Sequence, residues 1–430
     1  YTARLKEIFK KYNTSGMFYA HASVGTLHIR PVLNMKSDED IKNMRSISEE
    51  TFEMVKDYKG SHSGEHGDGI VRSEFHEMMF GKEITNVFEE IKDTFDSKNL
   101  LNPGKIVRPL KSNDRSLMRY KSGYQAQNIN THYDWSNWGQ FSDAVEMCNN
   151  NGACRKLDSG VMCPSYRVTK EEKDLVRGRA NTLRLALSNQ LPEGSFASKE
   201  MYETMELCVS CKACQRECPM SVDMAKMKSE FLSHYYKKFS MPIKDRVISD
   251  MPRLIWLLKI IAPIFNKVKN LPLISTIVNK FGFATERKMP EVQSQDALKE
   301  IYNSQPVSEN KVILFADTFN INFENKNLIY SIKVLNKFGY QAIIPSYGKD
   351  NLSRPLCCGR TYISYGQLDK AASELNRFND YILENNYYDL PVVGIEPSCL
   401  LTFNDEYLSL KNINNREKIK NKFYLLEEFI

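Results

Sequence analysis

The sequence lacks any run of 18 apolar residues, so no stretch of it reads as a membrane-spanning helix, and no secretory leader pattern is read at its start. It also lacks a G-x-G-x-x-G turn after a strand, the glycine-rich element that cradles a pyrophosphate. A strong excess of one charge sign is missing too. There are 59 Lys and Arg against 53 Asp and Glu, and an excess of +6 is too dilute to predict a nucleic-acid partner. Cysteine is sparse for a disulfide framework, at 10 in 430 residues, but it is clustered between 148 and 218 and again at 357 and 358. That distribution suits metal or redox use in a reducing compartment, so a cytoplasmic protein is expected.

The length calls for roughly two to four domains. The chain opens at Tyr1 part-way into what reads as a helix (Leu5, Ile8, Phe9, Tyr12), which predicts a piece of a longer protein. The most apolar stretch, residues 254–265, is interrupted by Lys259 and Pro263. It reads either as a packing helix or as an interfacial helix in peripheral contact with the inner face of a membrane.

What is present is organised around Cys208-Val-Ser-Cys-Lys-Ala-Cys-Gln-Arg-Glu-Cys-Pro219. The spacing C-x2-C-x2-C-x3-C-P lets three thiolates wrap one cubane while the fourth reaches a second cluster. Zinc would more usually take two separated C-x2-C pairs or mixed Cys and His. Upstream, Cys148 and Cys154 precede Cys163-Pro164, with Asn151 standing where a middle cysteine would complete the pattern. By the crossover rule the complete cluster takes Cys163, Cys208, Cys211 and Cys214, leaving Cys148, Cys154 and Cys218 for the other. That second site would hold a three-iron cluster, a four-iron cluster with a non-Cys ligand such as Asn151, or none. Between the groups, residues 171–187 read as a helix bearing Arg177, Arg179 and Arg184. Their role is either a solvated face or an offset to thiolate charge.

Nearer the start, residues 18–23 and 26–33 read as a hairpin with Val24-Gly25 as a two-residue turn, which sets His21 opposite His28 and puts Arg30 on the His28 face. Ser37 and Asp40 mark a helix start, followed by a polar loop from Gly60 to Gly69. Two histidines at cross-strand spacing and a Glu-His pair in a glycine-rich loop suit a three-ligand divalent metal site with a spare imidazole.

Residues 1–108 resemble the C-terminal half of the FAD-linked oxidases that include D-2-hydroxyglutarate dehydrogenase, D-lactate dehydrogenase and glycolate oxidase. The resemblance is carried by His21-Ala-Ser-Val-Gly-Thr-Leu-His28, Ser63-Gly-Glu-His-Gly-Asp-Gly69 and Leu101-Asn-Pro-Gly-Lys105. It implies a ferredoxin-like α+β substrate domain in which His21, His28 and Glu65 bind a divalent metal, usually zinc, and His66 is the catalytic base. Arg30 stands where some members carry Asn and would meet a substrate carboxylate. The resemblance also implies FAD, held mainly by a preceding domain. The motif Cys163-Pro-Ser-Tyr166 with Arg177-Gly-Arg-Ala-Asn181 resembles such oxidases fused to an α-helical 4Fe-4S ferredoxin-type module, here at 141–240 after a linker at 109–140.

Past a helical bridge at 241–304, a βαβ pattern over 305–430 predicts a three-layer α/β domain. Cys357-Cys358-Gly359 and Glu396-Pro-Ser-Cys399 resemble the CCG cysteine-rich domains, although only one set is visible and Asp317 lies where an earlier cysteine would be expected. The set either holds a metal or cluster or belongs to a cluster-free scaffold. The whole therefore reads as a multidomain α+β protein, the C-terminal part of a flavin and iron–sulfur dehydrogenase acting on a small D-2-hydroxy acid. Electrons would pass through one or two 4Fe-4S clusters to a quinone or an electron-transfer protein. Homo-oligomerisation is left open.

Because no pyrophosphate cradle is read anywhere in 1–430, the chain alone is expected to retain no FAD. Mixing it with FAD, desalting, and reading the supernatant spectrum after acid precipitation tests this, and stoichiometric flavin there would overturn it.

Overall fold

The computed structural model describes residues 1–284, 286–345 and 354–430, with the side chains of 256–260 outside the described set. The chain forms two compact units, Tyr1–Gln125 and Ala126–Ile430. The division falls inside the stretch read as a linker.

In the first unit, the helix Thr2–Lys11 buries Leu5 and Phe9, one turn apart on one face. Strands β1 (Gly16–His21) and β2 (Thr26–Pro31) follow as an antiparallel hairpin. The expected register is corrected. His21 pairs with Thr26 and Tyr19 with His28, so the turn is residues 22–25 rather than two residues. The reason is local: both Val24 and Gly25 donate to the His21 carbonyl (3.2 and 3.0 Å), and Gly25 supplies the left-handed φ of 68° that closes the longer loop. The slip is two residues, an even number, so His21, His28 and Arg30 still share one face. The helix Asp38–Asp57 starts at Ser37, whose hydroxyl accepts from the Asp40 amide at 3.2 Å, and it buries Ile41, Ile47 and Met54. Among the described residues of this unit the hairpin is the only sheet, in place of the larger sheet of a ferredoxin-like domain. Residues 34–108 offer helical periodicity and no further period-two run, and they fold as helices including His76–Phe80 and Lys82–Phe95.

The second unit begins with buried anchors. Tyr133 and Trp135 lie in its core at 0% and 3% exposure, so the later half of the predicted linker is structural, while Trp138 stays exposed. Glu230, fully buried on the helix Met224–Lys238, holds this segment. Its carboxylate accepts from the His132 amide (2.9 Å), His132 Nδ1 (3.1 Å) and the Tyr133 amide (3.0 Å).

Further along, β3 (Lys311–Leu314), β4 (Gln341–Ile343), β5 (Val392–Gly394) and β6 (Phe423–Leu425) make a parallel sheet in the order β4-β3-β5-β6. Alternation decides the layers. Ile313, Phe315 and Val392 enter the core shared with the cysteine region, whereas Val312, Leu314, Ala342 and Val393 enter a second core with Leu328 and Leu335 of the helix Asn325–Lys337. The bridge folds as short helices, among them Met251–Ile260 and Ala262–Val268, which break at Ile261 ahead of Pro263. Of the stretch read as a packing or interfacial helix, residues 256–260 have side chains outside the described residues. No helix among the described residues is long and apolar enough to cross a membrane.

The Glu230–His132 clamp carries a pH signature. Burial alone would raise the Glu230 carboxyl, but the bonds from His132 and Tyr133 hold it below its usual range, and the same contact raises His132. The carboxylate contribution is lost as pH falls through its lowered pKa; the imidazolium contribution is lost as pH rises through the raised one. Wild type should therefore exceed Glu230→Gln by about 2–3 kcal/mol at about pH 5.5, with the gap narrowing on both sides. Urea midpoints followed by tryptophan fluorescence would show it, and a gap independent of pH would mean that shape rather than charge is lost.

Candidate functional site

In the first unit, three histidines converge on one carboxylate oxygen. His28 Nε2 lies 2.9 Å from Glu65 Oε1, and His21 Nε2 and His66 Nε2 each lie 3.5 Å from the same atom. The hairpin brings His21 and His28 together diagonally across the strands, with ring centroids 5.0 Å apart. The loop reaches them because Gly64 packs on the strand end. A Cβ there would sit 2.7 Å from Thr26 Cγ2, and Thr26 is the partner of His21. Ser63 Oγ donates to the His66 carbonyl at 2.6 Å and closes the loop. Donor atoms of His21, His28 and Glu65 all lie within 4.8 Å of one another, a set of two imidazoles and a carboxylate that fits one divalent cation. His66 is outside that set, its ring 5.6 Å from that of His28. Its side chain is 63% exposed and His21's 52%, so the group is open to a ligand. Arg30, on the same face, lies over the Tyr19 ring at 5.3 Å.

In the second unit, Cys163, Cys208, Cys211 and Cys214 line a single cavity with Val176 and Arg179. Three left-handed residues curl the chain there: Ser210 (φ 53°), Lys212 (φ 60°) and Cys163 (φ 54°), the last followed by Pro164. Non-glycine residues adopt this conformation at a cost, so the surrounding structure over-determines it. The Val176 amide points at Cys163 Sγ (3.3 Å). Burial pushes the Cys163 and Cys214 thiols up to about 12, so ligation of iron would be coupled to proton release. The basic helix is Val176–Leu187, and its Arg179 is not a solvated residue. It is 1% exposed, with Nε donating to the Thr204 carbonyl at 2.9 Å.

The upstream group repeats this backbone. Asn150 (φ 64°) and Gly152 (φ 77°) follow Cys148 at the same offsets as Ser210 and Lys212 follow Cys208, and each loop then enters a helical turn at Ala153 or Ala213. Asn151 thereby takes the place of Cys211. Its amide side chain is turned onto its own loop, Nδ2 donating to Asn149 Oδ1 (2.6 Å) and Oδ1 accepting from the Ala153 amide (2.8 Å). The two groups are stitched by Glu217, beside Cys218, which accepts from the amides of Val161 (2.9 Å) and Met162 (3.1 Å), beside Cys163.

Comparison with known proteins agrees with this division. Residues 1–106 match the C-terminal domain of FAD linked oxidases, and residues 144–222 match a 4Fe-4S dicluster domain. The chain joins an FAD linked oxidase C-terminal domain to a 4Fe-4S dicluster domain. Along 95% of its length it is similar to the D-2-hydroxyglutarate dehydrogenases of Haemophilus influenzae (26% identical) and Escherichia coli (24% identical), covering 43% of each. Over 110 residues, 26% of the chain and 24% of the relative, it is 32% identical to a D-lactate dehydrogenase of Archaeoglobus fulgidus. The chain thus spans less than half the length of the curated dehydrogenases it matches along most of its own length. No solved structure matches.

The oxidase and dicluster domains imply FAD and iron–sulfur clusters. The remaining thiols, Cys357, Cys358 and Cys399, are 4%, 2% and 4% exposed, all beyond the dicluster match, at the starts of the helices Arg360–Ser364 and Pro397–Asn404. Cys358 interacts with both of the others, and all three thiols are raised: Cys357 by its contact with Cys358 and by burial, Cys358 by its contact with Cys399 and by burial against the opposing contact with Cys357, and Cys399 by burial and nearby negative charge against the opposing contact with Cys358. Asp317 is an N-cap, accepting from the Phe319 and Asn320 amides at 3.0 and 3.1 Å. An ion-pair chain that sequence patterns do not reveal links the dicluster loop to this set. Lys212 pairs with Glu406 at 2.8 Å, and Glu406 pairs with Arg360, next to Gly359.

If the cavity thiols hold a four-iron cluster, Cys211→Ser in the anaerobically reconstituted chain should lose its EPR signal and a matching share of iron and sulfide. Unchanged spectrum and iron content would overturn the ligand set.

Proposed function

We propose that the chain is the C-terminal part of a dehydrogenase that oxidises a D-2-hydroxy acid, D-2-hydroxyglutarate or D-lactate, to the 2-oxo acid. The observation that carries this reading is the convergence of His21, His28 and His66 on Glu65 Oε1. His21, His28 and Glu65 would hold a divalent cation, zinc in this reading. Bound there, it supplies a Lewis acid that lowers the pKa of a substrate hydroxyl. Arg30 would receive a carboxylate of the acid through charge-assisted hydrogen bonds, oriented by its stack on Tyr19. His66 Nε2 would take the hydroxyl proton as the C2 hydride leaves, and its exposed ring can pass that proton on to water. FAD, when bound, is the two-electron acceptor, and the dicluster domain would carry electrons singly to a quinone or an electron-transfer protein. The reaction balances as loss of two electrons and two protons from the alcohol carbon and its hydroxyl.

A second reading, a non-catalytic electron-transfer or scaffold subunit, draws on the nine cysteines in or against one core but leaves the histidine group without a purpose.

In the full-length protein His66→Asn is expected to slow flavin reduction by about 10²–10⁴ while keeping the metal, and His28→Ala to lose both. Anaerobic stopped-flow bleaching with a panel of 2-hydroxy acids, beside metal analysis, tests the assignment. Equal metal loss in the two variants would refute the division of roles, and no bleaching by any acid would favour the scaffold reading.

A further inference from the structure

A second group of metal-type ligands lies in the first unit, on the same loop but separate from the site above. Donor atoms of His62, Asp68 and His76 all lie within 4.8 Å of one another. Unlike the exposed hub at Glu65, this group is enclosed: His62 is 8% exposed and His76 3%. Aromatic rings wall it, with Phe52 and Phe80 at 5.2 and 6.0 Å from the His62 ring and Phe88 at 6.3 Å from the His76 ring.

The hydrogen bonding of the group is incomplete. Neither ring nitrogen of His62, nor Asp68 Oδ1, makes a hydrogen bond of good geometry although all are buried, and the Arg72 backbone and the Ser63 hydroxyl act on His62 and Asp68 only from longer range. Buried polar atoms are almost always well paired, and a poorly paired set this close together is accounted for by an occupant. The His76 ring narrows what that occupant is. Its Nδ1 faces the Ile106 carbonyl at 3.3 Å, which can only accept, and its Nε2 faces Asp68 Oδ2 at 2.8 Å. With the proton on Nδ1, two lone pairs meet at Asp68 and a shared cation relieves them; with the proton on Nε2, the ring donates to the carboxylate instead. A metal-bound histidine shows the first arrangement, one nitrogen on the ion and the other donating to a backbone carbonyl.

We propose that His62, Asp68 and His76 form a second divalent-cation site, for an ion of the zinc class, which pins both ends of the loop carrying Glu65 and His66. Two imidazoles and one carboxylate select a borderline transition ion over calcium or magnesium, which prefer all-oxygen cages. The ion would tie residues 62 and 68 to the helix His76–Phe80 and so fix the loop on which the exposed hub is built. The competing arrangement is a dry pair in which His76 Nε2–H donates to the Asp68 carboxylate and His62 ligates nothing.

Cadmium-113 NMR of the intact chain loaded with cadmium distinguishes them, because nitrogen and oxygen ligation is resolved from thiolate ligation by chemical shift. Two nitrogen/oxygen resonances are expected in the wild type. His62→Leu, which keeps the apolar wall, and Asp68→Asn should each remove one, and His28→Ala the other; total bound cadmium should fall by one ion per chain in each case. Retention of the His28-dependent resonance in His62→Leu shows that the variant has folded. A single wild-type resonance that survives His62→Leu and vanishes in His28→Ala overturns this second site and leaves the proposed function standing. A single resonance with the opposite behaviour supports this site and overturns the metal assignment above.

Discussion

The second unit depends on one apolar core into which nearly all of its sulfur is packed. Seven cysteines lie inside it, among residues that include Leu183, Phe231, Phe378 and Phe403, and Cys208 and Cys218 pack against it. A thiol is at home in such a place; a thiolate or a thiolate-ligated cluster is not, because burial penalises charge. The cations and anions around the core follow from that. Arg179 stands beside the cavity, and Lys228 donates to the Cys208 carbonyl at 2.6 Å, its own pKa lowered by burial. Lys212 and Lys226 are held by Asp405. Fixed positive charge next to the thiols, neutralised by carboxylates one shell out, lets the site gain negative charge without leaving an uncompensated buried ion.

Geometry is constrained as tightly as charge. Left-handed residues at matching offsets give the loops after Cys148 and Cys208 the same curl, although only one of them has a cysteine at its apex. Asn151 is accommodated because an asparagine can satisfy its amide locally, bonding to Asn149 and Ala153 in the manner of an Asx turn. The backbone cradle is therefore kept where the thiol is absent, and the three alternatives for the second cluster concern what fills an existing loop.

Much of this was legible in the residues because spacing along the chain was enough. The Cys163, Cys208, Cys211 and Cys214 grouping needed only the crossover rule, and the Ser37 cap and the βαβ order of β3, β4 and β5 needed only local chemistry and periodicity. The misses share a cause. The hairpin register turned on whether the chain closed after two residues or four, which was decided by hydrogen bonds to the His21 carbonyl rather than by Val24-Gly25 alone. Whether Arg179 lay on a solvated face or offset thiolate charge stayed open in the sequence, because its burial depends on tertiary contacts with Thr204 and Ser165. His62 and His76 carried no spacing signature, and the rings of Phe52, Phe80 and Phe88, which come from three helices, single them out only in the folded chain.

The two units place their candidate ligands by opposite means. In the proposed dehydrogenase an alcohol would have to reach a Lewis acid and a base, which suits nitrogen and oxygen donors on a hairpin and a loop with His21 and His66 more than half exposed. An electron would need no opening, and a sulfur-ligated cluster would be better protected from solvent and oxidants, which suits soft donors sunk in the core with Cys211 alone exposed. The exposed site then loses the rigidity that burial would have supplied. It regains it only where the loop is tied down: by Ser63 to its own backbone, by Gly64 against Thr26, and by Asp68 to His76. The side chains around Glu65 can therefore stay open to solvent while the backbone that presents them is fixed.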